Sequence, residues 1–122
     1  MSAPLRINVT GPEGSGIAEI TAEGVMVSCV QDALDLMADC RYRGAQKIIL
    51  REEHLIPGFF DLKTGVAGDI LQKFSNYGMQ LAIVGDFSKY NSKSLRDFIY
   101  ESNKAGRILF VKTAEAARER LK

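Results

Sequence analysis

The chain has no tryptophan, a single histidine, two cysteines and three prolines among 122 residues. Each scarcity removes a class of explanation. With His54 as the lone histidine and Cys29 and Cys40 far apart in sequence, the ligand spacings of zinc sites are missing, so no metal is expected. The same two cysteines make no disulfide framework. Eleven residues apart on one helix, they would stand about three turns, or roughly 16 Å, from each other. A disulfide needs Cα atoms within about 7 Å. They read as reduced thiols.

Charge of one sign is missing as well. Sixteen basic side chains stand against fifteen acidic ones, for a formal net charge of +1. A phosphate-binding surface usually needs a basic excess, so no nucleic-acid partner is expected. No apolar run approaches the roughly 18 residues of a membrane span. The start, MSAPLRINVT, lacks the charged-then-apolar order of an export signal, and residence in the cytoplasm is the expectation. What is present is ordinary for a globular protein: 46% apolar and 25% charged residues, in a length that suits one domain spanning 1–122.

Periodicity orders the chain. Leu5 to Thr10 alternates apolar and polar residues, and Ile17 to Ala22 does so again across Gly11-Pro12-Glu13-Gly14-Ser15-Gly16, which predicts an antiparallel hairpin. Those glycines read GxxGxG with a strand following. A dinucleotide fingerprint needs GxGxxG between strand and helix, so no cofactor is expected. Ser28 and Gln31 have capping-box spacing before a helix whose apolar stripe is Val30, Ala33, Leu34, Met37 and Ala38, closed by Gly44. Lys47 to Leu50 is a compact central strand. After a mixed loop, Arg51 to Lys63, Thr64 is expected to cap a helix with the stripe Val66, Ala67, Ile70, Leu71 and Phe74, and Gly78 ends it. Met79 to Val84 is the clearest buried strand. A helix from Ser92 or Ser94 to Gly106, a strand Ile108 to Val111 and a Thr113-capped helix complete the chain. The predicted order is β-β-α-β-α-β-α-β-α: an α/β domain whose mixed sheet has parallel central strands and an N-terminal hairpin.

The phrases VQDALDLM, FFDLKTGVAGDILQKF, LAIVGDFSKY and SKSLRDFIYESN resemble those of a bacterial family known only as a domain of unknown function, over roughly residues 25 to 112. The element order also resembles that of STAS domains, the group of the anti-sigma-factor antagonists. There, an Asp-x-Ser-Gly-like turn at a helix N-terminus carries a serine that a partner kinase phosphorylates. Asp61-Leu62-Lys63-Thr64-Gly65 is the matching stretch. Its spacing is one residue longer than that pattern and Lys63 has no counterpart. The resemblance implies a STAS-like regulatory module, with Thr64 in the position of the phosphorylated residue.

Two loops hold the candidate residues, because both should lie at the carboxyl edge of the sheet, where open α/β sheets carry ligands. Phe59, Phe60, Asp61, Lys63, Thr64 and Gly65 come from the first, and Asp86, Ser88, Lys89 and Tyr90 from the second. Adjacent phenylalanines beside Pro57-Gly58 leave two readings: ordinary burial by the long loop, which is favoured, or one ring packing under the helix while the other meets a partner subunit or lines a pocket. Thr64 at a helix start beside Lys63 suits a phosphate chemically, but a simple cap is the favoured reading. Glu52, Glu53, His54 and Asp61 make a poor metal or acid–base set, since neighbours on an extended segment point to opposite faces. No catalytic triad can be picked out. The expectation is a non-enzymatic module that binds a protein partner, or a second copy as a homodimer, through the surface around residues 59–65 and 87–90. The alternative is a small-molecule or anion sensor in the crevice formed by residues 59–65 and 86–92.

Overall fold

The computed structural model describes residues 5–12 and 14–122. Glu13 of the predicted turn and the first four residues of the expected 1–122 domain lie outside that range. Five strands, β1 (Arg6–Thr10), β2 (Gly16–Thr21), β3 (Ala45–Arg51), β4 (Gln80–Val84) and β5 (Ile108–Val111), form one sheet in the order β1-β2-β3-β4-β5. β1 is antiparallel to β2, and β2 through β5 are parallel. Four helices alternate with them: α1 (Val30–Tyr42), α2 (Val66–Asn76), α3 (Lys93–Ala105) and α4 (Ala114–Leu121).

Side-chain alternation assigns the helices to faces. Ala18, Ile20, Ile48, Leu50, Leu81, Ile83, Ile108 and Phe110 point to one side and are buried with Ala33 and Met37 of α1, Ile70 and Phe74 of α2 and Leu95 of α3. The intervening residues Ile49, Ala82, Val84, Leu109 and Val111 meet Ala117 and Leu121 of α4 on the other side. This is why β3, β4 and β5 read as unbroken apolar runs: both faces are covered. Each such buried aliphatic side chain stabilises the fold by about 1.5–3 kcal/mol. The second face of β1 is left open, with Arg6, Asn8 and Thr10 exposed on it, whereas on β2 Ile17 packs against the α4 cluster and Glu19 pairs with Arg118.

Strands in sequence order contain no point where the winding reverses. The crevice that such a reversal opens in doubly wound sheets is therefore absent among the described residues, and the loops at the carboxyl edge stack side by side instead.

Three local expectations are corrected. The buried stripe of α1 is Ala33, Leu36, Met37 and Cys40, and Ala38 is exposed. The helix is rotated because its partners are α2 and β3 together. Its start is not a Ser28–Gln31 box: Cys29 is the N-cap residue, and Asp32 reaches back to accept from the N–H (3.0 Å) and hydroxyl (2.7 Å) of Ser28. At α2 the N-cap residue is Gly65, in the left-handed region at φ +77°. Thr64, one position earlier, still receives the Val66 N–H at 3.2 Å. Ser92 and Thr113 do cap α3 and α4, accepting from Leu95 and Ala116.

Candidate functional site

Between β3 and α2 the chain forms three short 3-10 turns, Glu52–His54, Pro57–Phe60 and Leu62–Thr64. Pro57 presets the backbone of the second. Asp61 sets the third, its Oδ1 accepting from the Lys63 N–H at 3.2 Å, an Asx turn. The Thr64 hydroxyl stands 2.7 Å from the Gly58 carbonyl and 2.9 Å from that of Asp61, to which it donates. With the Val66 N–H also held, Thr64 Oγ1 ties both ends of this loop together. A phosphoryl group there would remove the donor and set negative charge beside two carbonyl oxygens, opening the loop.

After β4 the same device recurs. Asp86 Oδ1 accepts from the Ser88 N–H at 3.1 Å and from its hydroxyl at 2.6 Å, pinning a 3-10 turn over Phe87–Lys89. Those bonds hold the Asp86 carboxyl below its ordinary range, with smaller help from Lys89 and Lys112. Asp61-Leu62-Lys63-Thr64 and Asp86-Phe87-Ser88-Lys89 are thus twin turns. Each has a capping aspartate, a half-buried apolar residue next, and polar groups facing out.

Aromatic rings lock the two turns together. Phe59 and Phe60 are only 1% and 5% exposed, so neither ring offers surface to a partner. Phe60 is edge-on to Phe59 at 5.1 Å, stacks on Tyr90 at 5.2 Å and lies 5.8 Å from Phe87, which in turn meets Phe110 edge-on at 5.3 Å. Both phenylalanines belong to the core beneath the loops. The space between the loops, where a crevice was expected, holds the rings of Phe60, Phe87 and Tyr90.

Glu52 is the residue that the sequence did not single out for this role. Its Oε2 accepts from Tyr90 Oη at 2.9 Å and pairs with Lys89 Nζ at 2.8 Å, while Oε1 accepts from the Asp86 N–H at 3.2 Å. The side chain is 14% exposed. Burial by itself raises its pKa, but the bonds from Lys89, Tyr90 and the Asp86 N–H outweigh burial and leave it lowered. Tyr90 answers in the opposite sense: burial first, then the bond to Glu52 and its charge, push the phenol up to about 12. Gly85 makes room for this hub, since a Cβ there would stand 2.8 Å from Glu52 Oε1. Lys89 also lies 5.4 Å above the Tyr90 ring.

His54 is buried and braces the same end of the sheet. Its Nδ1 accepts from the Arg51 N–H at 3.0 Å, so Nε2 carries the proton and donates to the Ala22 carbonyl at 3.0 Å. Its own carbonyl accepts from Met26 and Val27. With both nitrogens used, the ring ties β2's exit to β3. No cluster of three metal-binding side chains occurs among the described residues.

Beside the ridge, a hollow of about 510 Å³ opens at the ends of β3 and β4, lined by Arg51, Glu53, Val84, Gly85, Asp86, Ser88 and Lys112. It takes in Asp86 and Ser88 but none of residues 59–65. The exposed polar set that the structure brings together is therefore Asp61, Lys63, Thr64 and Gly65 with Asp86, Ser88, Lys89 and the hydroxyl of Tyr90.

Among the described residues, no helix is long and apolar enough to cross a membrane. No curated protein and no solved structure matches the chain. A family model described as a domain of unknown function, DUF4180, matches residues 12–121, which is nearly the whole fold. The chain belongs to that family.

Proposed function

We propose that the chain is a non-enzymatic regulatory module of STAS-like type, acting in the cytoplasm by binding a protein partner through the ridge of its two twin turns. One observation carries this reading: two Asx-pinned turns from consecutive strand–helix connections are fixed to each other by the Phe60–Tyr90 stack and by Glu52. Exposed loops normally lose conformational entropy on binding. Loops already held by a rigid scaffold lose less, which favours recognition. The ridge mixes Asp61 and Asp86 with Lys63 and Lys89, a pattern suited to a polar protein surface rather than to a polyanion.

Lys63 supplies the test, because its side chain is exposed and makes no ion pair among the described residues. Lys63→Glu is expected to weaken retention of the partner on the immobilised protein, with the thermal midpoint unchanged. Equal retention by both proteins would remove the ridge from the interface. A second reading, an anion sensor, draws on Arg51 and Lys112 in the adjoining hollow. Inorganic phosphate that stabilises the wild type but not Arg51→Ala would favour it.

A further inference from the structure

The two edges of the sheet are finished differently. Beside β5, α3 supplies a substitute for a neighbouring strand. Asn103 Oδ1 accepts from the Phe110 N–H at 2.7 Å, its Nδ2 donates to the Phe110 carbonyl at 3.1 Å, and the Ser102 hydroxyl donates to the Ile108 carbonyl at 2.6 Å. A side-chain amide offers the same donor and acceptor as a peptide group, so this edge is occupied. At the far side, β1 pairs with β2 alone, and among the described residues nothing hydrogen-bonds to its outer edge. An uncovered strand edge is a template for another strand.

We propose that β1 is a homodimer seam, in which β1 of a second copy lies antiparallel against it and joins the two five-stranded sheets into one. The choice of a second copy rests on self-complementarity. Ile7 and Val9 lie half-buried on the helix-covered face, with Leu5 40% exposed before them, and Arg6, Asn8 and Thr10 are exposed on the other. With the two-fold axis at Asn8, Ile7 faces Val9 of the second copy, Arg6 faces Thr10, and Asn8 faces Asn8. Apolar residues then meet apolar ones on one face and polar residues meet polar ones on the other. The two Arg6 charges fall at opposite ends of the seam. Because Asn103 blocks the β5 edge, the contact is isologous and closes at two copies instead of growing into a fibre.

Sedimentation equilibrium up to about 1 mM protein tests the seam in the wild type and in Asn8→Lys, which sets two ammonium groups opposite each other. A dimer is expected that weakens about fivefold in the variant, whose fold is checked by its midpoint in dilute solution. A covalent test stands apart from any folding defect. Side chains opposite one another across antiparallel strands lie about 5 Å apart, so Cys29→Ser/Asn8→Cys should form a covalent dimer on mild oxidation, while Cys29→Ser/Ser94→Cys should not. A wild type that stays monomeric throughout, or a dimer that ignores Asn8→Lys and leaves Asn8→Cys uncrosslinked, overturns the proposal.

Discussion

Replacing Glu52 by glutamine probes the hub that joins the two turns. The side chain keeps its shape but loses the charge that three donors share. The ion pair with Lys89 contributes little, about 0–1 kcal/mol, because Lys89 is 53% exposed. The bond from Tyr90 is better shielded and charge-assisted, worth about 1–1.5 kcal/mol, and the Asp86 N–H adds roughly 0.5 kcal/mol. The loss comes to about 2 kcal/mol, or roughly 8 °C in thermal midpoint for a domain of this size. The pH dependence follows from the shifts. Glu52 has its pKa lowered from 4.5, so its contribution is complete above that value and fades as pH falls through the folded-state pKa. The gap between the wild type and Glu52→Gln should therefore close on acidification. Tyr90 is raised from 10 to about 12, so its contribution is present below pH 10 and is lost as pH rises toward 12. That alkaline loss should be shallower in Glu52→Gln. Circular dichroism melts across pH measure both limbs. A midpoint within about 1 °C of the wild type at neutral pH, or a gap that never narrows however far the pH falls below 4.5, would contradict the role given to Glu52.

Three further outcomes are expected. Phe60→Ala removes a buried ring that touches Phe59, Phe87 and Tyr90, and chemical denaturation should reveal a loss of about 3–5 kcal/mol. Asn103→Ala uncovers the Phe110 N–H and carbonyl. It should cost about 1–2 kcal/mol, speed exchange of that amide and promote aggregation. Of the two free cysteines, Cys29 is exposed, whereas burial pushes the Cys40 thiol up to about 12. Ellman's reagent should titrate one thiol in the native protein and two after denaturation.

Much of the fold was legible because its signals are local. The runs in β3, β4 and β5, the α2 stripe, and the caps Ser92 and Thr113 depend on neighbours within a few residues. The rotation of α1 was not, since Leu36 and Ala38 exchange their roles according to where α2 lies. The site divides in the same way. The Asx turns at Asp61 and Asp86 are local, each aspartate accepting from the N–H two residues on. Glu52 was hidden because its partners Asp86, Lys89 and Tyr90 lie 34 to 38 residues away. Phe59 and Phe60 are both buried, the reading the sequence favoured, but the means of burial was hidden for a related reason. A short loop alone cannot bury two rings, but Phe87 and Tyr90 from the next loop, with the helices below, complete the enclosure.

Partner contact is expected on the ridge of twin turns. The most direct measurement is crosslinking with native mass spectrometry on protein purified gently from its own host. A co-purifying protein crosslinked through Lys63 and Lys89, and lost in Lys63→Glu, is the predicted result. Crosslinks to the partner confined to lysines away from both turns would contradict the claim, as would a small mass released on denaturation with no protein bound.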